Sequence, residues 1–176
     1  MAKKEALRDL QTRLAGRLQA ARSEGVSAAW LAVQVGSANY LLPLTQSGEI
    51  FSMATLANVP YVQPWFMGVV NLRGGLFGVV DLASFLKVSS TRSRTEQAWA
   101  QTRLITFNVD LEINAALLVD ALIGLRRQDA FVGVMPPPAG APEFFGQLLV
   151  DAQGASWQEI NLRTLAQSAE FLSIGV

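Results

Sequence analysis

The residues of this chain that could support catalysis are carboxylates at the ends of predicted strands. Asp81, Asp120 and Asp151 each follow an apolar run, and two carboxylates held together could act as general acid and base. Their spacing places no two of them beside a substrate-binding turn, and capping of a short helix explains Asp81 more simply. The chain has no His and no Cys, which removes the commonest general base, thiol nucleophiles and the usual zinc ligands. We therefore expect no catalytic residue, no metal site and no cofactor.

The glycine-rich segment from Asn71 to Gly75 does not predict a phosphate site. It lacks the spacing and the Lys-Ser/Thr pair of a P-loop, and a predicted strand rather than a helix follows it. A tight β-hairpin with glycine at positive φ is the better interpretation. Arg73 stands at its tip, where it either projects into solvent or pairs with a carboxylate, for which Glu49 is the candidate. We expect a structural pair that is partly buried.

The composition favours an intracellular globular protein that does not bind nucleic acid. Fourteen Lys plus Arg balance fourteen Asp plus Glu, so the chain lacks the basic excess typical of nucleic-acid binders. With 51% hydrophobic residues among 176, a sizeable core is available. The N-terminal residues lack the apolar core of a signal peptide, and charged residues interrupt every apolar run before about 18 residues. We expect a cytoplasmic protein without membrane insertion.

The chain divides into an N-terminal helix and a repeated β region. Leu7, Leu10, Leu14 and Leu18 recur at steps of three and four, which predicts an amphipathic helix over residues 3–22. This helix either lies on the domain or docks on a partner. From Trp30 onward, short β-like runs separated by Gly, Asn, Asp and Pro predict small barrels or a sandwich.

An internal repeat organises the β region. Pro64–Gly68 and Pro142–Gly146 both introduce a predicted hairpin, and the second strands end at Asp81 and Asn161, which can cap short helices. The predicted organisation is an N-terminal helix over residues 1–25, a domain over 26–168 made of two repeated units (about 30–87 and 103–168), and a tail over 169–176. Residues 88–102 between the units are interpreted as a solvated loop.

Two segments resemble the signatures of the CheW family. Phe66–Gly75 followed by Val79–Leu82 is similar to the first, which contains an Asn-Leu-Arg-Gly hairpin, and Leu117–Ala121 is similar to the second. The resemblance implies a mainly β fold of two five-stranded SH3-like β-barrels packed together, with short helical turns. It also implies a non-enzymatic adaptor of two-component chemotaxis systems. Its partners would be the regulatory domain of a CheA-type histidine kinase and the cytoplasmic tip of a methyl-accepting chemoreceptor in a membrane-associated array.

The resemblance also assigns residues. Glu49 and Arg73 match the family's acidic–basic pair, the kinase would contact a barrel end, and receptor contact in the family lies along a groove near this pair. The receptor-side residues implied here are Leu44, Ser47, Gly68, Val69 and Asn71. The chain departs from the pattern at Gly78, where the family usually has Pro, and at Asn161, where it has a second Asp. The leucine helix and the segment 165–172 resemble the branch of the family that serves type IV pilus (twitching) systems.

The residues alone leave one alternative open. Small β-barrels also serve as binding modules for a small ligand or for nucleic acid. The zero net charge and the lack of a basic-aromatic stripe disfavour nucleic acid.

Overall fold

The computed structural model describes residues 29–89 and 95–176, so the predicted N-terminal helix lies outside the described residues. The first five strands are β1 (Ala29–Val35), β2 (Ala38–Pro43), β3 (Ser47–Ser52), β4 (Phe66–Leu72) and β5 (Gly75–Asp81). The other six are β6 (Arg103–Phe107), β7 (Ala115–Val119), β8 (Ala121–Arg127), β9 (Phe131–Met135), β10 (Phe145–Asp151) and β11 (Ser156–Ile160). The helices are α1 (Leu82–Phe85), α2 (Glu96–Gln101), α3 (Leu162–Gln167) and α4 (Ala169–Leu172), with 3-10 turns at Val109–Leu111 and Gln128–Ala130. In the part of the chain that the structure describes, no helix is both long and apolar enough to cross a membrane.

The strands form two sheets, and the prediction of a mainly β protein with two β units is confirmed. One sheet has six strands in the order β8-β1-β2-β11-β10-β9, and the other has five in the order β3-β6-β7-β5-β4. The six-stranded sheet has one strand more than the five predicted, because β9 pairs with β10. The corresponding segment of the other sheet makes a single bridge, Ala57 to Val69.

Each sheet takes strands from both sequence repeats. β1 and β2 of the first repeat join β8 to β11, while β6 and β7 of the second repeat join β3, β4 and β5. Two parallel pairings join strands of different repeats within one sheet. β5 pairs with β7, where Val80 faces Leu117, and β11 pairs with β2, where Gln158 faces Tyr40. The two sheets have the same strand order once the repeats are interchanged. The boundary between the repeats is therefore not the boundary between the sheets.

The main hydrophobic core joins the two sheets. It contains fully buried residues of β1, β2, β6, β7 and β11, together with apolar residues of α1, α3 and α4. Phe171 of α4 is 3% exposed and packs against Trp65, Phe85 and Phe107. Burial of each such large apolar side chain contributes roughly 1.5–3 kcal/mol. The helices therefore fasten the ends of the strands to the common core.

The helix starts follow the predicted Asx positions, with one difference. Asn161 Oδ1 accepts a hydrogen bond from Thr164 N at 3.0 Å, so the predicted cap of α3 is present. Asp81 stands at the N-cap position of α1, but it makes no side-chain cap bond to the helix backbone and accepts from Ser84 Oγ at 2.8 Å.

The prediction of a solvated loop over residues 88–102 is wrong for residues 96–101, which are helical. Residues 96–101 form α2, because Thr95 Oγ1 accepts from Ala98 N at 3.3 Å and so satisfies an orphan helical N–H.

Candidate partner-binding surface

The hairpin between β4 and β5 has the tight turn that the sequence predicts. Leu72 faces Gly75, and the two residues between them, Arg73 and Gly74, have φ values of 50° and 82°. Positive φ at both central residues is the signature of a type I′ turn, which suits the twist of a β-hairpin. Asn71 Oδ1 accepts a hydrogen bond from Gly74 N at 3.0 Å. Asn71 thus stabilises the turn from an exposed position.

Arg73 and Glu49 form an ion pair at the surface. Arg73 Nη1 lies 2.9 Å from Glu49 Oε2, and the side chains are 75% and 56% exposed. The guanidinium carbon also lies 5.7 Å from the ring centre of Phe51. The expectation of a partly buried pair is wrong, since the type I′ turn carries Arg73 beyond the ends of the strands. The contact joins β3 to the β4–β5 hairpin, at opposite ends of the strand order, so the five-stranded sheet curls toward closure.

Two of the implied receptor-side residues have structural roles instead of exposed side chains. Ser47 is 8% exposed, and its Oγ donates to Pro43 O at 3.0 Å. Gly68 has a φ of 133°, and a Cβ at this position would lie 2.4 Å from Ala57 O. A larger residue at either position would disturb the fold before it disturbed a partner.

Leu44 and Val69 are available at the surface, but they do not line one groove. Leu44 is 43% exposed, and its backbone N–H donates to Ala29 O. Val69 lines an apolar depression of about 310 Å³ whose walls include Leu76 and Leu172. Of the five implied receptor-side residues, this depression contains only Val69.

A second depression, of about 740 Å³, lies beside β3 and was not predicted. Its lining includes Glu49 and Glu112 together with the side chain of Phe77. Beside it, β3 bulges between Ser47 and Ile50, and a Cβ at Gly48 would lie 2.4 Å from Thr106 Oγ1. No sequence signal announces this bulge except the glycine itself.

The three aspartates considered for catalysis have separate structural partners. Asp120 Oδ2 accepts from Gly36 N at 2.7 Å, and Asp151 Oδ2 accepts from Trp157 Nε1 at 3.0 Å. The Trp157 hydrogen bond, aided by backbone N–H groups, lowers the pKa of Asp151 from its ordinary value of 3.8. Across residues 29–89 and 95–176, no cluster of three or more His, Cys, Asp or Glu could hold a metal ion.

The two outer strands of the six-stranded sheet stand at opposite ends of its strand order and are joined in sequence by the Gln128–Ala130 turn. Both carry exposed apolar side chains, which are here named together the β8–β9 edge. Its large side chains, which are 39% to 73% exposed, are Ile123, Leu125, Val132, Val134 and Met135. Edge strands with apolar side chains are natural sites for pairing with another protein. The sequence alone did not reveal this surface, because strands that are buried and strands at an edge have similar apolar runs.

Comparison with known proteins identifies the family. A family model described as "CheW-like domain" matches residues 29–170. The chain is 26% identical over 166 residues to Protein PilI of Pseudomonas aeruginosa, an alignment that covers 93% of this chain and 89% of that one. The crystal structure of the scaffolding protein TtCheW from Thermoanaerobacter tengcongensis has the same fold, with a TM-score of 0.63 and 18% identity over 77% of this chain and 89% of that one. The resemblance inferred from the two signature segments is confirmed, and the chain belongs to the CheW-like family.

Proposed function

We propose that this protein is a non-enzymatic adaptor that couples chemoreceptors to a CheA-type histidine kinase in a chemosensory array. The observation that carries the proposal is the match of the CheW-like family to residues 29–170, which contain both sheets and every described strand. The exposed apolar side chains of the edge strands agree with a role in binding. The adaptor works in the cytoplasm and reaches the membrane through its receptor.

An adaptor needs two surfaces that can be occupied at the same time, and the two sheets supply them. The β8–β9 edge belongs to the six-stranded sheet, whereas the Glu49–Arg73 pair belongs to the five-stranded sheet. We assign the regulatory domain of the kinase to the β8–β9 edge, because apolar edge strands suit a partner that presents a β surface.

We assign the receptor tip to the surface that contains Leu44. A helical receptor tip presents a stripe of apolar side chains, and an exposed leucine beside charged and polar groups suits such a stripe. Ser47 and Gly68 support this surface from below by fixing the turn after β2 and the bulge of β4. Asn71 and Arg73 hold the shape of the neighbouring hairpin tip.

The output of the array is type IV pilus twitching motility. The relation to PilI supports this choice, because the alignment covers 93% of this chain, more than residues 29–176 can supply. It therefore reaches into the predicted N-terminal helix, which the family match does not include. In a strain that lacks this protein, we expect loss of the twitching zone on agar and its return when the gene is restored. Intact twitching with loss of swimming would point to a flagellar array.

The partner assignment is tested by affinity capture from the native cell extract with matched variants. Leu125→Asp should lose the kinase and retain the receptor, whereas Leu44→Asp should lose the receptor. Gln128→Asp and Thr45→Asp are the controls, because they place the same charge at an exposed position nearby. All four variants should have unchanged circular dichroism. Capture of neither partner by the unmodified protein would contradict the proposed function.

A further inference from the structure

Two surface depressions meet along the segment that leads from β6 to β7. The acidic depression beside β3 and the apolar depression beside β5 share Ile113 and Asn114 as lining residues. We name the pair together the 109–114 valley. Its exposed apolar side chains include Val109, Leu76 and Leu172, which are 86%, 60% and 55% exposed.

The start of β1 lies close to one end of this valley. Ala29 O accepts from Leu44 N at 2.9 Å, and two residues later Gln46 O accepts from Asn108 N, also at 2.9 Å. Asn108 Nδ2 donates in addition to Thr45 O at 3.1 Å, and Val109 follows directly. At 3.8 Å per Cα step, this path from residue 29 to the valley is on the order of 20 Å. A helix over residues 3–22 would be roughly 30 Å long.

The charges of the two parts are complementary. Residues 1–28 contain six Lys and Arg and three Asp and Glu, whereas the whole chain has a formal net charge of +0. The remainder of the chain therefore carries the matching negative excess. In the valley, Glu49 and Glu112 line the acidic depression, and Asp110 lies in the same 3-10 turn as Val109. Arg73 already neutralises Glu49 in part, so Glu112 and Asp110 provide the free negative charge toward a basic segment.

The sequence of the N-terminal segment matches both halves of the valley. Leu7, Leu10, Leu14 and Leu18 form one stripe of the predicted helix, and basic residues flank it. We propose that residues 3–22 dock as an amphipathic helix in the 109–114 valley of the same chain. The leucine stripe covers the apolar part, and the basic residues face Glu112 and Asp110. This inference does not rest on the adaptor role, since it concerns only how the chain covers its own surface.

Paramagnetic broadening in NMR spectra tests the docking directly. The chain has no Cys, so the variant Thr12→Cys carries a single nitroxide label on the face opposite the leucine stripe. We expect the amide signals of residues 109–114, Leu76 and Leu172 to lose most of their intensity, while those of the β8–β9 edge keep theirs. Adding Leu14→Asp should restore the lost intensity. Gln19→Asp, which adds the same charge on the opposite face of the helix, should not.

Charge variants give a second readout. Asp110→Asn with Glu112→Gln should weaken the broadening and make the remainder sensitive to salt. The matched neutralisation Asp129→Asn with Glu143→Gln, at exposed positions elsewhere, should leave it unchanged.

Three outcomes would overturn the proposal. Broadening confined to Ile123–Leu125 and Val132–Met135 would place the segment on the β8–β9 edge. If broadening appears only when nitroxide-labelled chains are mixed with isotope-enriched chains that carry no nitroxide, the N-terminal segment docks on a second copy. A spectrum without selective broadening would show that it does not dock. Capture of the kinase and the receptor is measured separately, so none of these results bears on the adaptor role.

Discussion

The hairpins β4–β5 and β10–β11 have the same backbone arrangement but differ in the side chains that pack against it. In both, a residue at or just after the end of the second strand bonds back to the residue just before the first strand: Asp81 N donates to Trp65 O and Asn161 N donates to Phe144 O, each at 2.8 Å. Both first strands contain a bulge near their start, and both second strands pair in parallel with a strand of the other repeat. The common plan is therefore set by the backbone and by the exchange of strands.

The interiors differ at the glycines. In β4–β5, Gly78 makes room for an aromatic ring, because a Cβ there would lie 2.8 Å from Phe66 Cε2. In β10–β11, Gly146 makes room for a carboxylate, since a Cβ there would lie 2.3 Å from Glu159 Oε1. Glu159 Oε2 in turn accepts from Trp30 Nε1 at 2.5 Å.

A buried amide completes the second hairpin. Gln158 is 8% exposed, and its Nε2 donates to Gly146 O at 3.0 Å and to Glu159 O at 2.9 Å. These bonds join the bulged part of β10 to β11. The comparison teaches that a duplicated fold can keep its hydrogen-bonded frame while one copy packs apolar groups and the other packs polar groups that satisfy each other.

The largest effect should come from the bulge of the first hairpin. Gly68→Ala forces a φ of 133° on alanine and drives its Cβ toward Ala57 O, a backbone atom that cannot turn aside. We expect a loss of about 2–4 kcal/mol in the free energy of unfolding, measured by urea denaturation. Gly74→Ala is the control, because its φ of 82° carries a similar restriction but no atom lies within 4 Å of the added Cβ; its loss should be about 1 kcal/mol. Equal losses in the two variants would show that the close approach to Ala57 has no energetic weight.

The corresponding test in the second hairpin uses a double-mutant cycle. Gly146→Ala should cost about 1–3 kcal/mol, because the new methyl group displaces the Glu159 carboxylate from Trp30 Nε1. In the background Glu159→Ala, the same substitution should be neutral or slightly stabilising, since alanine suits a strand better than glycine. Unfolding in urea measures all four corners. The same cost in both backgrounds would contradict the carboxylate-filling role of Gly146.

The ion pair of the first hairpin should have a smaller effect. A cycle of Glu49→Ala and Arg73→Ala should give a coupling below about 1 kcal/mol, since both side chains are more than half exposed. High salt should reduce the coupling further. A coupling of several kcal/mol that persists in 1 M salt, on the order of a buried pair, would contradict the exposed geometry.

The smallest effect concerns acid stability at the turn of the second hairpin. The hydrogen bond from Trp157 lowers the pKa of Asp151 in the folded protein, so its stabilising contribution is present above the ordinary value of 3.8 and is lost as the pH falls through the folded-state pKa. Asp151→Asn should therefore flatten the acid limb of the melting temperature plotted against pH. Trp157→Phe should flatten it in the same direction. An unchanged acid limb in both variants would show that this hydrogen bond does not contribute to acid stability.

The sequence predicted the features that local chemistry determines. The tight turn at Arg73 and Gly74, the cap at Asn161 and the two β units follow from turn residues, Asx chemistry and alternating apolar runs. The family follows from the two signature segments. Each of these features is determined by residues that lie close together in the sequence.

The features that long-range geometry determines were harder to predict. The matched glycines Gly68 and Gly146 suggested one alignment of the repeats, but the entries close at Trp65 and Phe144, which shifts the hairpins by one residue. β1 and β2 join the sheet of the second repeat, and β6 and β7 join the sheet of the first. This arrangement depends on two parallel pairings between the repeats, and no local sequence pattern encodes them.

Bridging is the central claim, and a membrane co-sedimentation experiment tests it most directly. Membranes that carry the chemoreceptor of the array are mixed with its CheA-type kinase, with and without this protein, and the pelleted kinase is measured. The adaptor role predicts that the kinase pellets efficiently only when the protein is present, and that Leu125→Asp leaves the protein in the pellet but the kinase in the supernatant. Equal kinase in the pellet with and without the protein would contradict the account.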